Sequence, residues 1–215
     1  QARCMEALEP AQRAVEVGKK HLSQDHPARL MAECSLAYVH NQLGHYRIAQ
    51  ELYEHTVPLL EGQVGKAHPV VLTMVNNLAA TYENQACYEQ AELSYHRVLR
   101  ERERALPKDH PSILSILNNL GHLYIAMGRY RDAEDNLSRA REASEKQLGA
   151  EHPMTLGITN NMALLRKDQG RMPDPWVLCL PYRPFHDLVA EPRTHRQVPP
   201  YSFSLYSGAR QWMSG

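Results

Sequence analysis

The feature that most constrains the fold is a His-Pro pair that returns at a fixed interval. Each pair lies 42 residues from the next: His26-Pro27, His68-Pro69, His110-Pro111 and His152-Pro153. A fixed interval of this length indicates a repeat protein. A single repeat cannot bury its apolar face alone, so stacked copies form a curved wall with a large exposed surface, and such walls usually bind another chain.

Each repeat is predicted to contain two helices, A and B. Pro is tolerated in the first turn of a helix, where its missing N–H has no partner to lose, so each His-Pro pair predicts the start of a helix A. The apolar face of helix A in the second repeat is Leu72, Val75, Leu78, Ala79 and Tyr82. Helix B follows with an aromatic, Ala and large residue at i, i+3 and i+7. These ladders are Tyr46, Ala49, Tyr53; Tyr88, Ala91, Tyr95; and Tyr130, Ala133, Leu137.

Glycine predicts the turn between helices A and B, because it adopts the left-handed conformation that ends a helix. Gly44, Gly128 and Gly170 occupy this position, and the second repeat has Ala86 instead. If Ala86 keeps the same backbone shape, the strain should cost about 1 kcal/mol. The predicted helices span residues 4–21, 27–42, 46–63, 69–84, 88–105, 111–126, 130–147 and 153–168.

The same pattern predicts the organisation of the chain. Residues 1–25 are the second helix of a truncated repeat, 26–67, 68–109 and 110–151 are complete repeats, and 152–170 is a partial repeat with its first helix only. Residues 171–215 are a Pro- and aromatic-rich tail that is irregular or disordered; the alternatives are a different end to a longer array and a strand-like segment that covers the last helix A. Pro173 and Pro175 fall where the next helix B would begin, and each would remove a backbone donor and clash with the preceding turn.

The second repeat resembles a tetratricopeptide repeat of the 42-residue kind. The resemblance rests on Asn76-Asn77-Leu78-Ala79, Tyr82, Tyr88, Ala91-Glu92 and Tyr95-His96-Arg97. It covers residues 1 to about 170 and is similar to kinesin light chains, nephrocystin-type proteins and the repeat arrays of some fungal nucleotide-binding receptors. The resemblance implies an all-α fold, a right-handed α-solenoid of antiparallel helix pairs. It also implies a concave face, lined mainly by helices A, that receives an extended peptide or a helix of a partner.

A second stripe on each helix A, off the packing stripe, is predicted to face this groove. The first Asn of each Asn-Asn pair is favoured for peptide contact, because a carboxamide donates and accepts hydrogen bonds together. The alternative is that these Asn side chains tie neighbouring helices A to one another. The second Asn of each pair is predicted to be structural. The candidate peptide-binding residues are Tyr38, Asn41, Thr73, Asn76, Glu83, Ser115, Asn118, His122, Asn160 and Lys167.

Composition and motifs argue against other classes of function. Lys plus Arg and Asp plus Glu are 24 each, so the chain lacks the broad positive charge expected of a nucleic-acid or anionic-membrane binder. No apolar run approaches the roughly 20 residues of a membrane-spanning helix. The motifs GxSxG, HExxH, GxxxxGK[ST] and GxGxxG do not occur in the sequence. We predict no catalytic residues, no cofactor and no metal.

The cysteines indicate a reducing compartment. Cys4, Cys34, Cys87 and Cys179 are scattered singly, without the spacing of a metal site. Such cysteines are typical of free thiols in an intracellular protein, so we expect a cytoplasmic location.

The predicted function is a non-enzymatic protein–protein interaction module, an adaptor or scaffold. The groove charges Glu83, Lys167 and Asp168 do not form the basic cluster that kinesin light chains use for acidic cargo peptides containing Trp. One alternative is an architectural or self-associating solenoid that spaces larger domains. RNA binding through the Arg-rich stretch at 97–104 is a weaker alternative, since its charges alternate in sign as on a solvated helix face.

Overall fold

The computed structural model describes residues 2–170, with side chains from residue 5 onward, and this part of the chain is entirely helical apart from its turns. The helices are α1 (Ala2–His21), α2 (Pro27–Gln42), α3 (Tyr46–Val64), α4 (Pro69–Asn84), α5 (Tyr88–Ala105), α6 (Pro111–Ala126), α7 (Tyr130–Leu148) and α8 (Pro153–Asp168). Their ends lie within two residues of those predicted. The predicted tail, 171–215, lies outside the described residues.

Each helix A, namely α2, α4, α6 and α8, begins at a histidine that caps its first turn. In every case the Nδ1 atom of the His accepts a hydrogen bond from the backbone N–H two residues later. The distance is 3.1 Å from Ser112 to His110 and 3.3 Å from Val70 to His68. The first N–H groups of a helix have no partner within it, so the imidazole acts as the N-cap acceptor in place of the usual Asn or Ser. This explains why His and Pro recur together: the His accepts a hydrogen bond from one of these N–H groups, and the Pro has no N–H that needs a partner.

The turns between helices A and B share one backbone shape. Gly44, Gly128 and Gly170 have φ of 82°, 71° and 68°, and Ala86 has φ of 58° at the equivalent place. In the first three of these turns, the residue that follows the left-handed residue donates its backbone N–H to a C=O group in the last turn of helix A. Cys87, for example, donates to the C=O of Tyr82 at 2.9 Å. Ala86 therefore keeps the left-handed turn, as predicted, and is the one non-glycine with positive φ between residues 2 and 170.

Small residues allow helices A and B to approach closely. The Ala of each helix-B ladder, at positions 49, 91 and 133, is completely buried. In the third repeat, Gly121 of α6 lies against Leu137 of α7, and a Cβ atom at 121 would be only 2.4 Å from Leu137 Cγ. In the first two repeats the same two positions hold a buried Ala and a buried Tyr, namely Ala37 and Tyr53, and Ala79 and Tyr95. The seam is thus filled by different pairs of large and small side chains.

The helix pairs stack into an α-solenoid, which confirms the predicted fold class. Each helix packs on the next along the chain, and α2, α4, α6 and α8 also contact one another in order. Neighbouring helices B instead meet through long side chains. Arg97 of α5 pairs with Glu61 of α3 at 2.5 Å, and Arg139 of α7 pairs with Glu103 of α5 at 2.8 Å. Helices A are thus closer to one another than helices B are, which is the arrangement expected if helices A line the inner side of the solenoid.

We expect Ala86→Gly to raise the free energy of unfolding by roughly 0.5–1 kcal/mol, because relief of the left-handed strain exceeds the entropy that glycine adds to the unfolded chain. The reverse change, Gly128→Ala, should lower it by a similar amount, since no atom lies within 4 Å of the added Cβ and only the backbone is affected. Urea unfolding followed by circular dichroism measures both. A destabilised Ala86→Gly protein would contradict the assigned turn.

We expect His110→Ala to lower the free energy of unfolding by about 1 kcal/mol, because the N–H of Ser112 loses its acceptor. His110→Asn should recover most of this loss, since Asn is a good N-cap residue. The measurement is the same unfolding experiment on the two variants. Equal stability of the Ala and Asn variants would show that the imidazole does not act as a cap.

Candidate peptide-binding groove

The predicted groove residues lie on α2, α4, α6 and α8, which are neighbours in the stack, but they differ in exposure. Lys167 is exposed, whereas Asn41 and Asn118 are buried, with Asn118 only 2% exposed. The half-buried members of the set are Tyr38, Thr73, Asn76, Glu83, Ser115, His122 and Asn160. The accessible part of the row is therefore made mainly of hydroxyl, carboxamide and imidazole groups.

The Asn-Asn pairs join neighbouring helices A. Oδ1 of Asn76 on α4 accepts a hydrogen bond from Nδ2 of Asn119 on α6, at 3.1 Å. In the same way, Oδ1 of Asn118 accepts from Nδ2 of Asn161 on α8, at 2.9 Å. The first Asn of one repeat is thus bonded to the second Asn of the next, which is the tie between helices A that the sequence left open as an alternative. Asn118, being buried as well, is positioned to hold the groove together.

The first repeat replaces this carboxamide with a thiol. Cys34 stands at the position of Asn76 and is buried, with Sγ 3.1 Å from the Oγ1 atom of Thr56 and 3.2 Å from the Sδ atom of Met74. Burial raises the pKa of Cys34 to about 12, so the thiol stays neutral. In this repeat a different Asn makes the hydrogen bond between helices A: Oδ1 of Asn41 on α2 accepts from Nδ2 of Asn84 on α4 at 3.4 Å.

Two predicted site residues meet directly across helices α4 and α6. Oε1 of Glu83 lies 2.6 Å from Nδ1 of His122, and the hydroxyl of Tyr95 on α5 donates to Oε2 of Glu83 at 2.9 Å. Both carboxylate oxygens of Glu83 are thus engaged, and one side chain connects three helices. Tyr95 was identified from the sequence only as a packing residue. The signal for its second role is its hydroxyl, which Leu137 lacks at the same place in the third repeat.

The electrostatics of this cluster favour the protonated form of His122. Burial alone would lower the pKa of His122, but the hydrogen bond to Glu83 and the negative charge of Glu83 outweigh it, so the pKa lies above its ordinary value. Burial, with the charge and hydrogen bond of Glu83, raises the pKa of Tyr95, which therefore stays a neutral donor. The cluster can hold α4, α5 and α6 in place while His122 stays half-buried.

Within residues 2–170, no group of three or more His, Cys, Asp or Glu side chains is placed to hold a metal ion. None of the described helices is both long and apolar enough to cross a membrane.

The comparison with protein families identifies the repeats. The sequence model of the tetratricopeptide repeat family matches residues 70–146 and 112–174. Residues 70–174 of the chain are therefore tetratricopeptide repeats. This match explains the A–B helix pairs and supports a role in protein interaction or scaffolding. No curated protein matches the chain.

Solved structures of kinesin-light-chain-like repeats are similar to this protein. One is a crystal structure of a kinesin-light-chain-like protein from Podosopora anserina, whose tetratricopeptide-like repeats are nearly identical to one another. It is 26% identical to this chain, the match covers 79% of this chain and 81% of that one, and the TM-score is 0.67. A single-substitution variant of that protein covers 79% and 80%, with a TM-score of 0.68 at 26% identity. BtubC (BKLC) from P. vanneervenii is 20% identical, covers 91% and 79%, and has a TM-score of 0.67, which shows the shared fold.

We expect Glu83→Gln to lower the pKa of His122, because Gln keeps a hydrogen-bonding group but removes the negative charge. The raised pKa stabilises the wild-type fold at low pH, below the ordinary pKa of His near 6.5, and this contribution is lost as pH rises through the raised value. NMR titration of the His122 ring, and unfolding at several pH values, measure the two effects.

A matched control is Glu92→Gln, which removes a carboxylate on α5 that contacts Tyr124 and Arg129 but has no bond to His122. The His122 titration should be unchanged in this variant. An equal shift in both variants, or none in Glu83→Gln, would show that Glu83 is not the source of the raised pKa.

Proposed function

We propose that the chain is a non-enzymatic cytoplasmic adaptor or scaffold that binds an extended peptide or a helix of a partner protein along its helices A. The proposed binding units are residues 26–67, 68–109 and 110–151, with the partial unit at 152–170 extending the groove. The match of residues 70–174 to the tetratricopeptide repeat family supports the general role in protein interaction. The neutral, buried thiol of Cys34 is compatible with a reducing compartment.

One observation carries the proposal for the groove. Adjacent helices A present half-buried polar side chains at Thr73, Ser115 and Asn160, in a row with Asn76, whose Oδ1 already accepts from Asn119. Hydroxyl and carboxamide groups can pair with peptide N–H and C=O groups, which an extended ligand offers in regular alternation. Because these groups are already partly desolvated and held on rigid helices, little order is lost on binding. The row therefore suits recognition of a peptide backbone.

The charges on this row suggest the kind of peptide that would bind. Both carboxylate oxygens of Glu83 are already engaged, by His122 and Tyr95, and Lys167 lies at the far end on α8. Binding would rest on hydrogen bonds and shape more than on charge, so its affinity should depend only weakly on salt. RNA binding predicts the opposite, since release of counterions makes nucleic-acid affinity fall steeply with ionic strength.

We expect Ser115→Arg to weaken peptide binding at least tenfold, because a long cation would occupy the proposed groove. The probe is a set of 12-residue peptides selected from a random display library on the wild-type protein, with affinities measured by calorimetry at two salt concentrations. Ser138→Arg is the matched control, because it makes the same change on the exposed face of α7. It should bind as wild type does.

Equal loss of affinity in both variants, or none in Ser115→Arg, would contradict the groove proposal. Circular dichroism melting must show that both variants fold. A steep fall of affinity with salt would indicate charge-driven binding instead.

A further inference from the structure

Two histidines lie side by side at the turn between α2 and α3. His40 is in the last turn of α2, and His45 comes directly before α3. Their Nδ1 atoms are 3.2 Å apart, and their ring centroids are 5.4 Å apart, with an angle of 45° between the ring planes. His40 is buried, whereas His45 is exposed, so solvent reaches the pair from the side of His45.

The backbone holds the two rings close together. The N–H of His45 donates to the C=O of His40 at 2.9 Å, across the left-handed turn at Gly44. The equivalent hydrogen bond forms in the next two turns, so the approach of these two positions is a fixed property of the repeat. A ligand of the two rings would therefore meet groups that are already in place, and little order would be lost on binding.

The turn does not need histidine at either position. The equivalent pairs are Tyr82 with Cys87 in the second repeat and Tyr124 with Arg129 in the third. In those repeats the Tyr hydroxyl donates to a carboxylate on the preceding helix B, a contact that an imidazole without a hydroxyl does not reproduce. The His pair of the first repeat is thus not explained by the packing of the array.

The separation of the two Nδ1 atoms is close to that of two ligands on one zinc ion. With Zn–N distances of about 2.0–2.1 Å and tetrahedral angles, two ligand nitrogens are about 3.3–3.4 Å apart. Square-planar ligands at the same distances, as on Cu²⁺, would be about 2.9 Å apart. The observed 3.2 Å is nearer to the tetrahedral value, which favours zinc.

The protonation state of the pair also suits a metal ion. Burial and the neighbouring charge of His45 lower the pKa of His40, so His40 is neutral near pH 7. The neutral imidazole is the form that coordinates a metal. Between two neutral rings only one N–H···N hydrogen bond can form, whereas a metal ion uses a lone pair from each ring.

We propose that His40 and His45 bind a Zn²⁺ ion through their Nδ1 atoms, with water in the remaining coordination positions. The site does not depend on the peptide groove. It has two protein ligands, fewer than the three or four of catalytic and structural zinc sites, so the ion should exchange readily. The sequence predicted no metal because this pair matches no metal-binding motif, and the ligands meet only when the turn forms. The bound ion would join the end of α2 to the start of α3 and stabilise the first helix pair.

The test is titration of the 215-residue protein with zinc chloride, followed by calorimetry and by the NMR signals of the two His rings. His40→Tyr and His45→Arg introduce the residues that the third repeat has at these positions, so both should fold. Each should weaken binding at this site roughly tenfold or more, because one of the two ligands is lost. His45→Cys, which introduces the residue of the second repeat, should retain binding, since thiolate is also a zinc ligand.

His21→Ala is the matched control, because His21 is exposed at the end of α1 that leads into the start of α2, not its end. It should bind zinc as wild type does. Zinc should also raise the free energy of unfolding of wild type more than that of His45→Arg in urea. Mg²⁺ should have no effect, since it prefers oxygen ligands.

Equal zinc affinity in wild type and His45→Arg would overturn the proposal. So would ring signals of His40 and His45 that do not change on addition of zinc. A His45→Cys protein that binds no better than His45→Arg would show that position 45 supplies no metal ligand. Circular dichroism of every variant must match wild type, so that a loss of binding reports the ligand and not the fold.

Discussion

Close approach of helices A and B at a seam of small side chains is the constraint on which the rest of the structure depends. Ala49, Ala91 and Ala133 are completely buried, and Gly121 leaves no room for even one added carbon against Leu137. A helix pair packed this closely has a fixed relative position, so the face that it offers to the next pair is fixed too. The 42-residue interval follows because the same hairpin must return in the same orientation for the core to continue.

Polar side chains then set the spacing between repeats. Between successive helices A, carboxamides bond directly, as in Asn118 with Asn161. Between helices B, Arg139 reaches Glu103 across a wider gap. Short Asn side chains and long Arg side chains therefore bridge different distances in the same stack. This difference in length is what a curved solenoid with helices A on its inner side requires.

The sequence predicted the helices, the turns and the seam because these depend on residues close together in the chain. Even the left-handed turn at Ala86 could be predicted, since the neighbouring repeats have Gly there. The contacts of Glu83 could not, because they join residues 12 and 39 positions away, and a stripe of residues on one helix does not show which atoms of the next helix it meets. Pro10 and Pro58 lie inside α1 and α3, which were predicted as continuous helices. Both prolines are on exposed faces, where they do not disturb the stack.

The division between repeated and varied residues separates structure from recognition. Asn76 and Asn118 occupy the same place in successive repeats and make the same bond to the next helix A, so their repetition is explained by the stack itself. A ligand bound along the groove must be distinguished by residues that change from one repeat to the next. One such series is Tyr38, Ala80, His122 and Leu164, which presents an aromatic ring, a methyl group, an imidazole and a branched alkyl chain in order. In the proposed function, the Asn ties would hold the groove in shape, and this varied series would select the peptide.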